Sequence, residues 1–94
     1  MKNSSNRNIL NSIFNTIEKF RTNQISADDM VANLSGNITA LEGVDSEFID
    51  KSQGFIGEID FIKFTENSDM IYELILKEVD DYNNYLKKYF KNIE

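Results

Sequence analysis

Ninety-four residues are enough for one hydrophobic core and one domain, spanning 1–94, but not for a second. The chain has no Cys, His, Pro or Trp, which excludes disulfides and thiolate metal sites and removes the commonest general base and the best thiol nucleophile together. Its formal charge of −6 is unevenly placed: residues 1–21 carry four bases and one acid, residues 22–76 two bases and eleven acids, and residues 77–94 four of each.

In chain order, the spacing predicts four helices. Ser4 or Ser5 caps the first, whose apolar residues Ile9, Leu10, Ile13, Phe14, Ile17 and Phe20 keep one stripe. Thr22-Asn23-Gln24 breaks it. The second opens at Ser26 with Asp29 three positions on, close to a capping box, and its stripe is Met30, Val31, Leu34, Ile38 and Leu41. That stripe passes through Gly36 in phase and stops at Gly43. Asp45 caps the third helix, in which Phe48, Ser52, Phe55, Ile59 and Ile62 repeat at helical spacing. The alternating run Asp60 to Phe64 leaves an extended ending open there. Asn67 or Ser68 opens a fourth helix toward the C-terminus, with the stripe Ile71, Leu74, Ile75, Val79, Tyr82, Leu86, Tyr89 and Ile93. Glu73 and Lys77 stand in the favourable i, i+4 order. Short connections between such helices imply a compact antiparallel four-helix bundle, an all-α fold.

No catalytic motif is present. Neighbouring carboxylates such as Asp28–Asp29, Glu58–Asp60 and Asp80–Asp81 diverge by about 100° to 200° around a helix, so they splay into water rather than converge. The stretch from Asp45 to Ile56 begins like a calcium loop but lacks the central Gly and the final Glu. A di-metal bundle site would need His. No catalytic residue, metal site or cofactor is therefore expected. A pI near 4.6 disfavours direct nucleic-acid binding despite Arg7, Lys19, Arg21, Lys87, Lys88 and Lys91. Met1 to Arg7 is polar, and Ile9 to Phe14 is interrupted by Asn11 and Ser12, so neither a secretory signal nor a membrane span is expected. The expected compartment is the cytoplasm.

The acidic middle carries the functional signal, because surface charge of one sign selects and steers partners of the other. On a helical wheel of the third helix, Asp50, Gly54, Gly57 and Phe61 fall on the face opposite the core stripe. An aromatic beside two glycines and flanked by acids suits protein binding: the ring anchors, the glycines admit close approach and the acids choose the partner. The alternative is that Phe61 turns inward where the helix frays. Glu78 lies nearer the apolar stripe than Asp69, Glu73 and Asp80, at a boundary position. Tyr72 stands off the stripe's centre, unlike Tyr82, Tyr85 and Tyr89.

The stretch Phe20-Arg21-Thr22-Asn23-Gln24-Ile25-Ser26-Ala27-Asp28-Asp29-Met30 resembles the "F…G-x-I-S-A-x-E-F" opening of the second helix in colicin D immunity-like proteins, with Asn23 and Met30 in place of Gly and Phe. Val44-Asp45 through Glu58-Ile59-Asp60, then Glu66 to Leu86, resembles that family's third helix, acidic turn and long final helix. The resemblance implies a small acidic immunity protein, not an enzyme, related in role to those of contact-dependent inhibition systems. It would neutralise a basic toxin nuclease, a ribonuclease acting on transfer RNA, by laying carboxylates where RNA phosphates lie. The residues expected to touch the partner are Glu42, Asp45, Glu47, Asp50, Glu58, Asp60, Phe61, Glu66, Asp69 and Glu73, on a chain that is monomeric when free. Two other readings stay open: a phage-type acidic mimic of nucleic acid that inhibits a nuclease effector, and a homodimeric helical scaffold or regulator.

Overall fold

The first helix, α1 (Ser4–Arg21), turns Leu10, Ile13, Ile17 and Phe20 inward at spacings of three and four. The computed structural model describes residues 4–65 and 68–93. At the end of α1 the chain reverses through Asn23, whose φ of 63° is the left-handed conformation that asparagine tolerates better than most residues. Gln24 N–H donates to the Lys19 carbonyl at 2.8 Å, which closes the helix end.

Ser26 caps α2 (Ala27–Ala40) by accepting the Asp29 N–H at 3.1 Å, as the capping pattern predicts. Met30, Leu34 and Ile38 form its buried edge. The helix stops earlier than Gly43: Leu41 is already extended, with its side chain still buried. Gly43 instead serves the connection, at φ 72°, a conformation other side chains adopt only under strain.

Asn6 pins that connection. Its Nδ2 donates to the Glu42 carbonyl at 2.5 Å, and its Oδ1 accepts the Glu42 N–H at 2.9 Å. One buried side chain thus satisfies both backbone groups of a residue in a loop, tying the start of α1 to the turn before α3.

Asp45 caps α3 (Ser46–Thr65), its Oδ1 accepting the Phe48 N–H at 2.8 Å. The helix continues through Asp60 to Phe64, so the extended ending is not taken up. Ile59 and Ile62 are buried on the same stripe as Phe48 and Ile56, and that burial holds the helical period against the local alternation. The last helix, α4 (Ser68–Ile93), buries Ile75, Val79, Tyr82, Leu86 and Phe90. Phe90 is inside while Tyr89 is half-buried, a shift of one residue from the expected stripe. Glu73 and Lys77 do not close into an ion pair; Arg21 pairs instead with Asp80, and Lys63 with Asp28 and Asp60.

Each helix packs on its neighbours in sequence, and α1 closes the ring on α4. The result is an up-down-up-down four-helix bundle measuring 42 × 25 × 20 Å. Its buried Ile, Leu, Met, Phe and Val side chains each contribute about 1.5–3 kcal/mol, which is where most of the stability resides. At the α3–α4 seam the core turns aromatic: Phe48 meets Tyr85, Tyr89 and Phe90, and Phe55 meets Tyr82 and Tyr85, with centroids 4.5–6.0 Å apart. No helix of the described residues is long and apolar enough to cross a membrane.

Candidate functional site

The outward face of α3 is set by the same periodicity that builds its inward one. Glu47, Asp50, Gly54, Gly57, Phe61 and Phe64 recur every three or four residues and all are exposed. They form one stripe roughly 25 Å long at 1.5 Å per residue, acidic at the start, bare of side chains in the middle and aromatic at the end. Phe61 is 58% exposed and Phe64 83%, so Phe61 does not turn inward. A Cβ built on Gly54 or Gly57 would meet nothing within 4 Å, so close packing inside the monomer does not account for either glycine.

More apolar surface lies at the same end of the bundle. Met70, in the first turn of α4, is 51% exposed. Tyr72 is more engaged than its off-stripe position suggests. Its ring lies 5.6 Å from that of Phe20, and its hydroxyl donates to the Arg21 carbonyl at 3.5 Å. Phe64 and Met70 were not singled out by sequence. Phe64 sits three residues beyond Phe61 on the same face, and that spacing was the available signal.

The ten expected contact residues do not form one patch. Glu42 and Asp45 lie in the α2–α3 connection, Glu47 and Asp50 begin α3, and all four are exposed. Asp45 is held by its capping bond, and Glu42 by Asn6 through its backbone. Glu58, Asp60 and Phe61 lie toward the other end of α3, with Asp69 and Glu73 exposed on the first turns of α4. Glu66 lies outside the described residues. Glu47 and Asp60 are about 20 Å apart along α3 at 1.5 Å per residue, so they address different parts of any partner. Asp60 is also occupied at home. Its Oδ1 takes the Lys63 ammonium at 3.4 Å, and that ammonium pairs as well with Asp28 of α2 and lies 5.8 Å from the Phe64 ring centroid. Lys63 thereby ties α3 to α2 and lowers the negative charge beside the two exposed phenylalanines.

Glu58 belongs to a different feature. Between α3 and α4 runs an open cleft of about 460 Å³ lined by Lys51, Gly54, Phe55, Glu58, Glu78 and Tyr85. Glu78 is half-buried here, and its carboxyl is pushed above its ordinary 4.5. Burial is the main cause, then repulsion from Glu58 and Asp81, with Lys77 opposing. The Tyr85 hydroxyl is also pushed up, by burial first and then by Tyr89, Asp45 and Glu47. Burial leads in both shifts, and negative charge nearby adds to it, from Glu58 and Asp81 at Glu78 and from Asp45 and Glu47 at Tyr85. Lys51 answers part of that charge, with its ammonium 5.8 Å from the Tyr85 ring centroid. A smaller hollow between α2 and α3, lined by Ser35, Ile38, Thr39, Gln53, Ile56 and Gly57, holds no titratable group. Among the described residues no carboxylates gather in a group able to hold a metal ion.

Set against protein-family models, curated proteins and solved structures, the chain matches none of them.

Proposed function

We propose that the protein is a small acidic immunity protein that binds and neutralises a basic toxin nuclease, using the outward face of α3 and the adjoining start of α4. The observation that carries this reading is the stripe from Glu47 to Phe64, which pairs exposed carboxylates with large exposed aromatics on one rigid helix. Exposed aromatics bring binding energy when a partner buries them, and nearby acids select a basic partner and speed its approach. Two helix-interior glycines between them, each less favourable than Ala by about 1 kcal/mol, leave the backbone open to close contact. Inhibition would follow from occlusion. A bundle 42 Å long, laid across a basic cleft, excludes RNA from it and needs no chemistry of its own. The resemblance to colicin D immunity-like proteins supports the ribonuclease as the class of toxin.

The experiment is capture of the partner from extracts of the native host on the tagged protein, elution by rising salt, and assay of the purified partner with and without the chain. A basic ribonuclease released by salt and inhibited at one-to-one stoichiometry is the expected result, with binding weakened by Phe64→Ser. Sedimentation as a salt-resistant dimer, with no basic protein captured, would instead establish the scaffold reading.

A further inference from the structure

The stripe accounts for Glu47, Asp50 and the exposed phenylalanines but leaves the α3–α4 cleft without a use. Two glutamates from different helices line one open hollow, Glu58 exposed and Glu78 half-buried, with Phe55 and Tyr85 beside them. Beyond its burial, the Glu78 carboxyl is repelled by Glu58 and Asp81, with Lys77 offsetting part of that repulsion. An incoming cation would remove that cost and gain attraction to both carboxylates. The rings narrow the choice of cation. A guanidinium stacks on aromatic faces, gives up its hydration more readily than an ammonium and offers donors in more than one direction to two separate carboxylates. Lys51 already shows what the Tyr85 ring accepts, holding its own ammonium over the face. Gly54 leaves one wall of the cleft without a side chain.

We infer that the α3–α4 cleft receives an arginine side chain of the protein partner, its guanidinium bound by Glu58 and Glu78 against Phe55 and Tyr85. This rests on the reading of the chain as a binder of a basic protein and extends it to a second contact, on the side of α3 next to the stripe. The occupant is fixed by charge and shape complementarity: a cation with a flat, polarisable face, carried on a side chain long enough to enter an open hollow.

The test needs no partner. N-acetyl-arginine amide is titrated into the full chain at low salt, with backbone amide signals followed by NMR. Saturable shifts centred on Gly54, Glu58 and Glu78 are expected, with N-acetyl-lysine amide binding severalfold more weakly. Glu58→Gln combined with Glu78→Gln should weaken arginine binding at least tenfold. Gly54→Leu should block it without unfolding the chain, since a Cβ at that position meets no atom within 4 Å. Shifts spread evenly over Asp69, Glu73 and the cleft, or shifts unchanged in the double variant, would overturn the assignment. The two readings fail separately. A basic partner captured while the arginine probe leaves the cleft untouched defeats only the cleft. Saturable binding of the probe with no basic partner in the host defeats only the immunity reading.

Discussion

Replacing Asn6 by Ala removes a side chain that joins the start of α1 to the α2–α3 connection. The substitution deletes two hydrogen bonds, of 2.5 and 2.9 Å, to the carbonyl and N–H of Glu42. Each intramolecular hydrogen bond contributes about 0.5–1.5 kcal/mol net, so the pair amounts to about 2 kcal/mol. Asn6 is only 2% exposed, which argues against full compensation by water; Glu42 itself is exposed, which keeps the loss from being larger. For a domain of this size, about 2 kcal/mol corresponds to a fall in Tm of roughly 8–15 °C. Asn6→Asp separates the two bonds. Its carboxylate can still accept the Glu42 N–H but cannot donate to the carbonyl, so it should lose at least half as much and recover part of the loss when protonated at low pH. Urea and thermal denaturation followed by circular dichroism measure both variants. A change below about 0.3 kcal/mol for Asn6→Ala would mean that the clamp does not hold the connection in solution, and the placement of Glu42 and Asp45 would lose its support.

Other consequences can be measured on the same chain. Gly57→Ala should raise stability by about 1 kcal/mol, because the position is an exposed helix interior with room for a Cβ; destabilisation would show that the backbone there is not helical. Tyr82 is buried, and among the described residues neither its hydroxyl nor that of Ser52 makes a hydrogen bond. Burial pushes the Tyr82 hydroxyl from 10.0 up to about 12, so the unfolded chain releases the proton first and stability falls as pH rises between those values. Tyr82→Phe should flatten that alkaline decline and cost less than about 1 kcal/mol at neutral pH, whereas a loss above about 2 kcal/mol would show the hydroxyl to be bonded. Glu78, with its carboxyl raised, opposes folding once ionised: the penalty is absent well below 4.5 and complete above the raised value. Glu78→Gln should therefore raise the urea midpoint at neutral pH and lose that advantage in acid, and an advantage independent of pH would contradict the cause assigned to the shift.

Much of the architecture can be read from the chain because it rests on local rules. The stripes of α1 and α4, the Ser26 and Asp45 caps and the reversal at Thr22-Asn23-Gln24 all follow from helical period and side-chain hydrogen bonding within a few residues. The outward position of Asp50, Gly54, Gly57 and Phe61 was legible in the same way, since a face opposite a core stripe must look outward unless another element covers it. That last condition is not local. Only the packed bundle shows that Phe61 and Phe64 stay exposed, and that Phe90 rather than Tyr89 is buried.

Tertiary structure alone decided the pairings across helices. Asn6 reads as an ordinary polar residue until α1 and the α2–α3 connection are brought together, 36 positions apart in sequence. Glu58 and Asp60 look like members of one acidic run, yet one lines a cleft with Glu78 while the other is neutralised by Lys63. Periodicity determined which face each residue occupies, because that depends on the turn of a single helix. Which residues meet across faces depends on how four helices settle against one another, and no local spacing encodes that.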